Sequence, residues 1–168
     1  MAPVYNGHVQ VNPFMKTIEK GISFFIIKPT IMNTKTLLGA LIAAIVAFLL
    51  GWLIFGILLM DYYTNNMVQY AGLVKNPPEI LPIAIANLVW GVLLALIFNM
   101  ANINSVSKGF STGLILTFLI SLGFDLFMLA QFNLYNTKIL AIDVLLNAAL
   151  GGVAGAALGW WYGRPVKS

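Results

Sequence analysis

The chain has 168 residues, 60% of them hydrophobic and only 8% charged, with a mean hydropathy of +0.91. A soluble domain carries about 25% charged residues, so this composition belongs in a membrane. With no cysteine and a single histidine, His8, the chain cannot build disulfides, thiolate zinc sites, iron–sulfur clusters, a cysteine nucleophile or a bis-histidine haem, and its +4 charge forms no basic stripe that would suit nucleic acid.

Met1–Asn12 is mixed and polar, and the first basic residue is Lys16. That lacks the positive patch and apolar stretch of a secretory signal. Asn12-Pro13 is a helix-start pattern. Phe14, Met15, Ile18, Ile22, Phe25 and Ile26 then recur at helical spacing, opposite Lys16, Glu19, Lys20 and Ser23. Residues 1–35 are therefore expected to hold an amphipathic helix lying on the membrane surface. A disordered tail is the alternative, because Gly21 and Pro29 weaken a helix.

Four apolar stretches follow, at residues 36–60, 81–101, 110–132 and 139–162. Each is long enough to cross the hydrocarbon core, which takes about 20 residues. Only Asp125 interrupts the third and only Asp143 the fourth, and the short loop Asn133–Lys138 makes these two an antiparallel hairpin. Residues 36–163 thus read as one all-α transmembrane domain, a four-helix bundle, with 164–168 as a short tail. Lys16, Lys20, Lys28, Lys35, Lys108, Arg164 and Lys167 fall at one side, against only Lys75 and Lys138 at the other. By the positive-inside bias, both termini are expected in the cytoplasm and the protein in the inner membrane. Tyr62, Tyr63, Tyr70 and Tyr135 then mark the outer interface, and Trp160, Trp161 and Tyr162 the inner one.

Every span carries small or polar residues four apart, and such residues share a helix face. The lines are Gly39, Ala43, Ala47, Gly51; Asn87, Gly91, Ala95, Asn99; Gly113, Thr117, Ser121, Asp125; and Asp143, Asn147, Gly151, Gly155, Gly159, Gly163. Small residues at this spacing let backbones approach, so Gly51, Gly91, Gly113, Gly151, Gly155 and Gly159 are expected to pack helices together. In the hairpin, Asp125 lies about 10 Å and Asp143 about 6–8 Å below the outer ends of their helices, at 1.5 Å per residue. That register sets Ser121 against Asn147, and Thr117 and Gly113 against Gly151 and Gly155. Asn87 reaches a similar depth. The expected polar pocket is Asp125, Asp143, Asn147, Asn87 and Ser121 in the outer half, with Asp61 and Glu79 at its mouth. Acids in a span mark function by default, so a protonatable or cation-binding pocket is one reading. The other is a hydrogen-bonded acid that only pins helix register.

Gly109-Phe110-Ser111-Thr112-Gly113 matches the G-x-S-x-G hydrolase pattern, but it opens a membrane helix without the strand-to-helix elbow that motif needs. Ser111 reads instead as a helix N-cap. The methionines are scattered and suit packing, not metal binding. No metal site or cofactor is expected, and no enzymatic activity.

Gly51-Trp52-Leu53-Ile54-Phe55-Gly56 resembles a family of small bacterial inner-membrane proteins, a domain of unknown function with a glycine–aromatic–glycine motif on its first helix. The glycine-rich stretch Gly151–Gly163, the segment Ile57–Tyr63 and Gly123-Phe124-Asp125 extend the likeness over roughly Thr36 to Gly163. Ile54 stands where an aromatic residue is usual. The resemblance implies four spans and a glycine-rich last helix, and brings no activity. The expected function is a nonenzymatic structural or accessory subunit packing with itself, as a homo-oligomer, or with a larger membrane complex. The alternative is a small transporter or channel for a proton, cation or solute that uses the acidic cluster.

Overall fold

A computed structural model describes residues 33–68, 70–75, 77–134 and 136–165. The expected interfacial helix within residues 1–35 and the marker Tyr135 lie outside the described residues. Within them, every regular element is helical. The chain runs α1 (Thr34–Leu53), a π-helical turn Ile54–Leu58, a short α2 (Met60–Asn66), α3 (Ile80–Met100), α4 (Val106–Gln131) and α5 (Thr137–Gly163).

Thr34–Leu58, α3, α4 and α5 are each long and apolar enough to cross a membrane, and they run up, down, up, down. Large apolar side chains are exposed around them, among them Leu81 at 70% and Phe127 at 70%. Water would not support so much apolar surface, whereas lipid solvates it. We refer below to the lysine end, with Lys35, Lys108 and Arg164, and the tyrosine end, with Tyr62, Tyr63 and Asn136.

Side-chain caps set several helix starts. Asn33 Oδ1 accepts from Thr36 N at 2.8 Å and opens α1. Asn136 Oδ1 accepts from Lys138 N and Ile139 N at 3.0 and 3.1 Å and opens α5. Ser105 caps α4, three residues ahead of Lys108. Ser111 is therefore not the cap; its hydroxyl donates to carbonyls within α4, at Ser107 and Lys108. α3 ends because Asn102 takes a left-handed φ of 53°, which Asn tolerates better than most residues. Ile103 N then reaches back to Phe98 O at 2.9 Å, and Ile103 is buried behind the turn, as in a Schellman stop.

The helices pack unequally. α5 is the central one: half of its span is buried inside the protein, against 11–17% of the others. It packs along α4 most extensively and along part of α1, while α3 leans almost wholly on α1. α3 and α4 hardly touch. Among the described residues the bundle is thus open along one flank. At the lysine end that flank matters little, because Ala40, Ala43, Leu94, Ala95, Phe98, Ile103, Ala154 and Leu158 close into a core. Lys35 Nζ also ties α1 to the end of α5, donating to Tyr162 O and Arg164 O at 2.9 Å each. Trp161 Nε1 donates back to Lys35 O at 2.9 Å, and Tyr162 Oη donates to Ala95 O on α3.

Glycine makes the α4–α5 contact possible. A Cβ on Gly109 would strike the Gly155 carbonyl oxygen, one on Gly113 that of Gly151, and one on Gly159 that of Ser105. Thr117 lies on Gly151. The glycine line of α5 is therefore occupied by α4 of the same chain. Gly91 does the same for α3, resting on Ala40 and Ala44 of α1. Gly51 departs from the expectation: a Cβ there would meet nothing within 4 Å. Its spacing permits close approach, but no described helix comes near, because the flank it borders is the open one.

Candidate functional site

At the tyrosine end the open flank becomes a cleft of about 530 Å³. α1 and its π turn contribute Ala47, Phe48, Gly51, Trp52, Phe55 and Gly56. α3 and the residues before it contribute Pro78, Ile83, Ala86, Asn87, Trp90 and Leu94. α4 adds Thr117 and Ser121, and α5 adds Asn147, Leu150, Gly151 and Ala154. Pockets that hold small molecules are typically about 300–1,000 Å³ and largely apolar, with a few polar groups. Here those groups are the Asn87 and Asn147 amides and the Thr117 and Ser121 hydroxyls.

The local sequence explains the shape. Gly51 and Gly151 put no side chain into the space, and Ala47, Ala86 and Ala154 put little. The π turn accommodates an extra residue, and π turns recur at functional positions. At its end Leu59, with φ −115° and ψ 6°, breaks the run and starts α2.

α2 carries Tyr63 onto α5. Its hydroxyl donates to Asp143 Oδ1 at 2.9 Å, while Asn147 Nδ2 donates to Asp143 Oδ2 at 2.7 Å and to Asp143 O at 3.0 Å. The Asp143 carboxylate is thus held by two donors, one from each side. The Phe55 and Tyr63 rings meet edge to face at 5.7 Å, and Tyr62 stands edge to face with Tyr63 at 6.1 Å. Burial first, then the charge and hydrogen bond of Asp143, hold the Tyr63 phenol protonated well above the usual tyrosine range, and the charge of Asp125 adds to this. Asp125 itself is 6% exposed.

The five residues expected in one pocket therefore divide. Asn87, Ser121 and Asn147 line the cleft together. Asp125 and Asp143 do not; they lie nearer the hairpin turn, both within electrostatic reach of Tyr63, where α2 packs. The reason is the four-residue step: Asp143 is one turn before Asn147 and Asp125 one turn after Ser121, which carries both past the cleft wall. Asp61 and Glu79, expected at its mouth, are not among the lining residues, although Glu79 follows the lining residue Pro78. Asp61 is exposed on α2, and Glu79 is exposed and paired with Lys75 at 2.6 Å. Among the described residues no group of acids and histidine is arranged to hold a metal ion.

Tyr63, Thr117, Trp52, Phe55 and Trp90 are site residues that the sequence reading left out. Tyrosines at a span's end read first as interface anchors, and nothing local marks one of them as a partner for an acid eighty positions away. Trp52 and Phe55 were visible within the glycine-flanked motif, but only as its signature. The chain matches no family model, no curated protein and no solved structure.

Proposed function

We propose that this is a nonenzymatic, multi-pass protein of the bacterial inner membrane, with cytoplasmic termini, that binds and carries a small molecule in the cleft between α3 and α4. The observation that supports this reading is the cleft itself: a space of ligand size, walled by four helices, with asparagine and serine side chains at membrane depth. Polar side chains there are costly unless something satisfies them, and a bound molecule is one such partner. Neither Asp125 nor Asp143 is among the cleft's lining residues, and Tyr63 holds Asp143, which favours the solute branch of the transporter reading over the proton or cation branch.

Packing as an accessory subunit, with itself or within a larger complex, is the second reading. Its support is α3, which leans on α1 and leaves its other flank for a neighbour. The glycine line of α5 lends it nothing, being filled by α4. Native mass spectrometry of the gently extracted protein separates the two. A small-molecule adduct on the wild type, lost in Gly51→Leu, is the expected result. An adduct-free protein recovered as a defined oligomer or with a partner chain favours the accessory reading instead.

A further inference from the structure

We propose that the cleft selects an uncharged amphipath with a flat, aromatic body and a polar head that donates hydrogen bonds; this rests on the reading of the cleft as a binding site. Three observations converge on that class.

The first is charge. No ionisable side chain lines the cleft among the described residues. An ion entering it would lose its hydration and find no counter-charge, which is strongly unfavourable. The nearest acid partner on α5, Asp143, already accepts from Tyr63 on one oxygen and from Asn147 on the other. A cation in the cleft would have to pull that arrangement apart.

The second is hydrogen-bond polarity. Asn147 spends its amide NH2 on the Asp143 carboxylate and the Asp143 carbonyl. A carboxylate accepts only, so this contact fixes which end of the amide is nitrogen. What Asn147 keeps for the cleft is its amide oxygen. Asn87 gives one N–H to Ile83 O at 2.9 Å and keeps its amide oxygen and its second N–H. With the Ser121 hydroxyl, which can accept as well as donate, the cleft has a surplus of acceptors. A head bearing O–H or N–H matches that surplus; an ether or ester head does not.

The third is shape. Trp52, Phe55 and Trp90 give the apolar part of the wall flat faces and edges. Aromatic rings pack on such surfaces in offset or edge-to-face geometry, beyond what buried area alone supplies.

The test uses four molecules on one skeleton with the full-length protein in lipid nanodiscs: hexylphenol, hexylanisole, hexylbenzoate and hexylbenzylammonium. Calorimetric titrations are corrected against protein-free nanodiscs of the same lipid. Hexylphenol should bind saturably and hexylanisole about tenfold more weakly, the scale of one hydrogen bond between neutral groups. The two ions should bind no better than to protein-free discs. Ser121→Ala and Asn87→Leu, both small changes on the cleft wall, should narrow the phenol-to-anisole ratio by weakening hexylphenol more than hexylanisole. Equal binding of phenol and anisole, or saturable binding of either ion at the phenol's strength, overturns the ligand class and leaves the cleft reading standing. If none of the four binds above the protein-free discs, the cleft reading falls with it.

Discussion

At the lysine end, Ala95, Phe98 and Leu158 from α3 and α5 are fully enclosed, and Lys35 fastens α1 to the last turn of α5. A few turns along the same helices, Gly51, Asn87 and Asn147 border open space. The two halves share helices and composition, so the difference comes from which small residues find a backbone opposite. Gly91 rests on Ala40 and Ala44, and Gly155 on Gly109, whereas Gly51 has no described residue opposite. Small residues close a bundle only where connectivity and neighbours bring a second helix to them; elsewhere the same residue type makes a cavity.

The largest effect should come from the closed contact. Gly155→Leu drives a side chain into the Gly109 carbonyl, and neither backbone can yield without separating α4 from α5. Overpacking of this kind costs about 1–3 kcal/mol and more where backbone must move. A large fall in the detergent melting temperature is expected. Gly51→Leu, the same substitution on the open side, should leave that temperature nearly unchanged while filling the cleft. If the two variants melt alike, the contrast between the halves is wrong.

The next effect in size lies at the lysine end. Lys35→Met removes two hydrogen bonds to the carbonyls that end α5 and should destabilise by about 1–2 kcal/mol, less than a fully buried charged bond because Lys35 is partly exposed. The loss should show as faster hydrogen exchange in the last turn of α5, with the hairpin end unaffected.

The smallest concerns Tyr63. Tyr63→Phe keeps the edge-to-face contact with Phe55 and loses only the hydrogen bond to Asp143, worth about 1 kcal/mol. The wild-type phenol has its pKa raised in the folded state, so the stability it contributes is whole below the usual tyrosine range and declines as pH rises through it. An alkaline absorbance titration of the folded protein should therefore look the same for wild type and Tyr63→Phe until pH passes well beyond that range. A missing tyrosinate signal in the variant at ordinary tyrosine pH would place Tyr63 in water.

Much of this was legible in the sequence, for reasons that differ residue by residue. The four spans announce themselves because uncharged runs of that length have no other stable setting. The facing of Gly113 and Thr117 with Gly151 and Gly155 follows from a short loop and a four-residue period. Asn87, Ser121 and Asn147 share a wall because they share a depth. The open flank was not legible, since no single-chain pattern tells which helix pairs remain apart. Nor was the partner of Asp143, which depends on a π turn and a short helix bringing Tyr63 onto it. The third span, α4, starts at Val106, not Phe110, because the Ser105 cap and a single lysine fit within its first turn.

Because the chain has no cysteine, single thiols report their surroundings without background. The most direct measurement places one at Ser121, on the cleft wall, and another at Ala43, in the closed half, and follows modification by a small charged methanethiosulfonate, which needs water and a thiolate. Ser121→Cys should react, hexylphenol should slow the reaction, and Ala43→Cys should stay inert. A Ser121→Cys as unreactive as Ala43→Cys, in a protein that melts like the wild type, would contradict the open cleft.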